Sequence, residues 1–128
     1  MITGFYAGLL GLWLVFLILS VVRLRWKYRV GMGDGGQREL MQAIRIHGNF
    51  IETVPFVLIL MGLLELRDFS PALLLHGFGV TLLVSRLLHW HGLTRSATTS
   101  VGRTVGTVLI VFLVLTGAVL LIFNFVVR

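Results

Sequence analysis

The sequence predicts an all-α integral membrane protein, a four-helix bundle of antiparallel, up-down spans. Three observations carry this. Of 128 residues, 57% are hydrophobic and only 12% charged, with mean hydropathy +0.98, which excludes a water-soluble domain or a disordered tail. The apolar residues fall into four blocks, each with the roughly 20 residues a helix needs to cross a hydrocarbon core about 30 Å thick. The charges collect at the block ends. Lys and Arg number 11 against 5 Asp and Glu, a net charge of +6. In a soluble chain that excess would suggest nucleic acid; flanking apolar blocks, it reads as membrane topology. Cysteine is absent, which excludes disulfides, thiolate metal sites and a cysteine nucleophile.

The first span is residues 2–22, without a charge. It lacks the basic start and small-residue cleavage site of a signal peptide and ends in the basic run Arg23-Leu-Arg-Trp-Lys-Tyr-Arg29, so it reads as a permanent anchor. The second span, 37–66, is about ten residues longer than the minimum and is expected to project beyond the bilayer. Pro55 within it predicts a kink. The third span is 71–93 and the fourth 103–127, followed by Arg128. The connections are short, so successive spans should run antiparallel, and residues 1–128 form one domain. Gly31–Gly36 lacks the Lys-Ser/Thr of a phosphate loop and reads as a flexible turn, with Asp34 placed to cap or to pair an Arg. Gly4-x-x-x-Gly8 is a small-residue packing motif of low specificity.

The first and third connections with their flanks hold Arg23, Arg25, Lys27, Arg29, Arg38, Arg95 and Arg103, against Arg67 and Arg128 on the other side. The positive-inside rule then puts the Arg-rich loops in the cytoplasm and both termini on the opposite, periplasmic side. For Arg25, Lys27 and Arg29 topology alone accounts for the charge.

Other polar residues lie inside the spans. The second holds Arg45, Asn49 and Glu52; the third holds Arg86 and His89. Three bare charges in lipid would cost on the order of 8–10 kcal/mol. At about 100° per residue, Arg38, Arg45, Asn49 and Glu52 fall in a stripe about 60° wide, with His47 on the opposite face. Arg86 and His89 share a face, and Arg103 and Thr104 open the fourth span. A purely structural network of paired Arg and Glu is one reading. Against it stands the surplus of cations: Glu52 alone cannot satisfy Arg38, Arg45, Arg86, Arg103 and Arg23. An anionic ligand with several acceptor atoms could. The histidines lack partners at metal spacing, so no metal site is expected.

The motif Arg45-x-His47-x-Asn49-x-x-Glu52-x-x-Pro55 in a second membrane helix resembles the signature of the MAPEG family, the membrane-associated proteins in eicosanoid and glutathione metabolism. Arg23-Leu-Arg25, Asp34, Arg86-x-x-His89 and Arg103-Thr104 resemble further family positions, in the right order and helices. The resemblance implies a homotrimer of four-helix subunits with glutathione sites between neighbours near the cytoplasmic side. By that resemblance Arg45, Asn49 and Glu52 bind the polar ends of glutathione; Arg23, Arg86 and His89 help line the site; Arg103, assisted by Thr104, activates the thiol. Arg38 joins the glutathione-binding candidates by its place on the charged stripe. Gly48, Leu93, Thr104 and Thr107 depart from the pattern of the prostaglandin-synthase branch, which argues against eicosanoid isomerisation. The implied activity is a glutathione transferase or peroxidase that attacks lipophilic electrophiles dissolved in membrane lipid. The chain looks like the family's bacterial branch, in the inner membrane and with a role in detoxification.

Two other classes fit four short spans. A small homo-oligomeric transporter would use Glu52 as its coupling carboxylate, although intramembrane Arg would repel a cation. A non-catalytic, lipid-binding member of the same family would keep the fold without needing the Arg surplus.

Overall fold

The computed structural model describes residues 1–67, 70–95 and 100–127. Residues 68–69 and 96–99, in the second and third connections, and Arg128 lie outside the described residues. Helix α1 spans Ile2–Tyr28, α2 Arg38–Leu66, α3 Ala72–Arg95 and α4 Val101–Val126. Each is long and apolar enough to cross a membrane.

The apolar blocks underestimate α1. Basic residues do not break a helix, so α1 continues through Arg23–Tyr28 and stops only at Arg29, whose φ of 55° is left-handed. The backbone N–H of Val30 then donates to the carbonyl of Arg25 at 3.1 Å. The following loop, expected to be flexible, is held by hydrogen bonds. Asp34 Oδ1 accepts from Gly36 N at 2.9 Å, and Arg25 Nη1 donates to the carbonyl of Gly33 at 3.0 Å. Gly35 has φ 58°, and a Cβ there would strike the Val30 side chain, so this loop needs glycine. Pro55 sits inside an unbroken α2.

Helix α2 packs on the other three helices, whereas α1 packs on α2 and α3 but not α4. The shared core draws Leu10 and Leu17 from α1, Phe50 and Val57 from α2, Leu82 from α3 and Leu113 from α4. The end of α1 meets the start of α2: Lys27 Nζ lies 3.0 Å from Glu39 Oε2, and Tyr28 Oη donates to the same oxygen at 2.6 Å. The start of α1 meets the end of α2. Glu65 accepts from the backbone N–H groups of Ile2 and, at 2.9 Å, Thr3. A carboxylate there satisfies helix N–H groups that have no intrahelical partner.

Helices α3 and α4 approach backbone to backbone. A Cβ on Gly92 would lie 2.6 Å from Arg103 N, on Gly102 2.9 Å from the Leu88 carbonyl, and on Gly106 2.6 Å from the Ser85 carbonyl. No side chain fits, so these glycines form the close-packing seam. The Gly4/Gly8 motif does not fill this role within the chain: a Cβ on Gly8 would meet nothing within 4 Å.

Candidate functional site

The seam decides where the polar stripe of α2 ends up. It draws the first turn of α4 against the last turns of α3, and Ser100 fixes that turn by accepting from Arg103 N at 3.3 Å. Arg103 thereby stands beside His89 and Leu93 of α3 and opposite α2. A cavity of about 280 Å³ opens between them, lined by Ile44, Arg45, Gly48, Asn49, Glu52, His89, Leu93 and Arg103. A second cavity of about 230 Å³ shares Arg45, Leu93 and Arg103 with it and adds Met41 and Gln42. Together they form one groove along α2.

Five of the residues singled out from the sequence line this groove: Arg45, Asn49, Glu52, His89 and Arg103. Arg45 and Glu52 are exposed on the chain's outer surface, and His89 is buried. Among the described residues, Arg45, Arg103 and Glu52 take part in no ion pair; the pairs present join Glu65 to the Met1 amine and Glu39 to Lys27. Among the described residues, the groove therefore offers two guanidiniums and one carboxylate without an ion-pair partner.

Arg86 lies behind the groove, 4% exposed. Its Nη1 donates to Asn49 Oδ1 at 2.6 Å and to Thr53 Oγ1 at 3.2 Å, its Nη2 to the Gly106 carbonyl at 3.4 Å, and its Nε to Ser85 Oγ at 3.2 Å. Its partners are all neutral oxygens. One guanidinium thus ties α2, α3 and α4 together, and the buried charge is hydrogen-bonded rather than neutralised.

The remaining three candidates stand apart from the groove in this chain. Arg23 lines a different cavity, of about 260 Å³, with Phe16, Trp90, Glu39 and Gln42 among its walls. Arg38 is exposed at the start of α2 and is not part of the groove lining. Thr104 is exposed, and its hydroxyl donates to the Ser100 carbonyl at 3.2 Å.

Sequence reasoning missed Thr53 and the Gly106 carbonyl as partners of Arg86. Thr53 follows Asn49 by one helical turn and carries the only hydroxyl in α2, a signal that was available. A backbone carbonyl gives none.

The chain as a whole matches a known family. The MAPEG family profile matches residues 3–123. The inner membrane protein YecN of Escherichia coli is 44% identical over 92 residues, covering 72% of this chain and 70% of that protein. Its namesake from a second strain of the same species matches equally. No solved structure matches. With the match running almost from end to end, the chain belongs to the MAPEG family.

Proposed function

We propose that the protein is a membrane-embedded, glutathione-dependent transferase or peroxidase of the inner membrane. The observation that carries this reading is the convergence of Arg45, Asn49, Glu52, His89 and Arg103 on one groove whose charges find no ion-pair partner among the described residues. Glutathione brings two carboxylates, one ammonium and one thiol. Arg45 and Arg103 can take carboxylate or thiolate, and Glu52 can take the ammonium. The two adjoining cavities together reach the lower end of small-molecule sites, about 300–1,000 Å³.

The chemistry follows from thiol ionisation. A free thiol near pKa 8.5 is only a few per cent thiolate at pH 7. A nearby guanidinium in a site of low dielectric favours the thiolate; lowering its pKa by about 1.5 units takes roughly 2 kcal/mol. Arg103, at the start of α4, is the residue assigned to this step, with Thr104 as a candidate donor to sulfur. The thiolate sulfur then bonds to the electrophilic carbon as the leaving group departs with its electron pair, and the thiol's proton ends on the leaving group or in water. With an organic hydroperoxide, two glutathione thiols are oxidised to the disulfide while the hydroperoxide becomes alcohol and water. A groove that opens sideways from a membrane helix suits a second substrate dissolved in lipid.

The same geometry supports a homotrimer of antiparallel, up-down subunits. Arg45 and Glu52 are exposed on a span, where lipid contact would be costly, so a neighbouring subunit is the cover this reading assigns. Arg23, which stands at another cavity of its own chain, would then serve a neighbour's groove. The Arg-rich ends are assigned to the cytoplasm, where glutathione is available.

The test is an ultraviolet titration of the purified protein in mild detergent with glutathione near neutral pH. The reading predicts a saturable thiolate absorbance that Arg103→Ala removes. A well-folded oligomer without the signal would refute it and turn attention to transport assays centred on Glu52.

A further inference from the structure

We infer that Arg86 is a positioning residue that acts through Asn49, turning its amide so that the groove receives an oxygen acceptor of the ligand at that point, a carboxylate or an amide carbonyl. This rests on the proposal that the groove binds glutathione.

A guanidinium has five N–H donors and no acceptor. The short contact of 2.6 Å from Arg86 Nη1 therefore fixes which end of the Asn49 amide is oxygen: it faces Arg86. The Asn49 Nδ2 group, with two donors, is left for the groove that Asn49 lines. Without Arg86 the amide could present either end, and half of its orientations would repel an anion. Arg86 itself is held from three directions, by Thr53 of α2, Ser85 of its own helix and the Gly106 carbonyl of α4. Gly106 can offer that carbonyl at close range because α3 and α4 touch along the glycine seam. Arg86 lies behind Asn49 and is absent from the groove lining, so its effect on a ligand passes through the amide.

The surface that results is sorted. Arg45, Asn49 and Arg103 present donors, and Glu52, one helical turn from Asn49, presents the acceptor. A ligand with a carboxylate and an ammonium a few atoms apart, the α-amino acid end of a γ-glutamyl peptide, matches this alternation. A simple fatty acid, which has no ammonium, leaves Glu52 unpaired.

Calorimetric titration of glutathione into the purified, detergent-solubilised protein tests this with Arg86→Lys, Asn49→Ala, their double variant and Asn49→Asp. Arg86→Lys keeps the charge but loses the planar fork that serves several oxygens at once. It should weaken binding about tenfold, the equivalent of one charge-assisted hydrogen bond. In the Asn49→Ala background the same substitution should change affinity less than twofold. Asn49→Asp should melt no lower than wild type, since Arg86 gains an ionic partner, yet bind glutathione more weakly than Asn49→Ala. A full tenfold effect of Arg86→Lys in the Asn49→Ala background, or wild-type affinity in Asn49→Asp, would overturn the inference. A wild type that binds no glutathione would instead refute the proposed ligand. The ligand-free melting temperatures of the four-member cycle would then still decide the Arg86–Asn49 coupling, and additivity there would overturn it.

Discussion

Helix α2 carries three glutamates, and the contrast between its ends and its middle separates structure from function. Glu39 is taken by Lys27 and Tyr28, and Glu65 by the first backbone N–H groups of α1. Both fasten α1 to α2. Glu52, midway between them, has no ion-pair partner among the described residues and lines a groove with Arg45 and Arg103. An intramembrane carboxylate and two guanidiniums without an ion pair among the described residues are expensive if nothing ever binds. The lesson is that residue type alone does not separate the three glutamates; among the described residues, what sets Glu52 apart is its place on the groove without an ion-pair partner.

The largest way to sharpen this contrast is at Arg103. Arg103→Ala should lower turnover with glutathione and a model electrophile by about 10²-fold, the scale of losing one preorganised stabiliser of a developing anion, while melting stays close to wild type. A comparable fall in turnover from Arg25→Ala, at the end of α1 where its side chain holds the following loop, would break the contrast.

Next is the seam that builds the groove. Gly106→Ala would push a methyl to 2.6 Å from the Ser85 carbonyl, costing about 1–3 kcal/mol and moving Arg103 away from α2. Gly48→Ala, at a position where a Cβ meets nothing within 4 Å, should leave the melting temperature unchanged or raised. Tryptophan fluorescence melts would read both.

Glu65→Gln is smaller in effect and opposite in kind to a change at Glu52. It weakens the hold on the N-terminus of α1 by about 1 kcal/mol and should leave glutathione affinity unaltered. Smallest is Lys27→Ala. Its exposed pair with Glu39 is screened by water and salt, and Tyr28 still donates to Glu39, so the melting temperature should not move beyond scatter.

The number and place of the helices were legible because a span is written in continuous apolar blocks. The ends were less so. Helix α1 runs on through Arg23–Tyr28, since hydropathy reports the lipid boundary and not the helix boundary, and α4 starts at Val101 because Ser100 caps it. The stripe of Arg45, Asn49 and Glu52 was legible from helical spacing within one helix. Which helix it would face was not. Spacing could not reveal that Arg23 lines another cavity, that Arg86 lies behind Asn49, or that Thr104 turns its hydroxyl to the Ser100 carbonyl. The first follows from how α1 packs on α2, the second from how α3 and α4 meet along their glycine seam, where glycine carries no hydropathy signal of its own, and the third from a local bond within one turn of α4.

The most direct test of the central claim, that Glu52 is reserved for a ligand while Glu65 is spent on the fold, is calorimetric titration of glutathione into wild type, Glu52→Gln and Glu65→Gln. Loss of one charged hydrogen-bond partner predicts affinity about 10–100-fold weaker for Glu52→Gln with melting preserved, and wild-type affinity for Glu65→Gln. Equal affinities in all three would contradict the account.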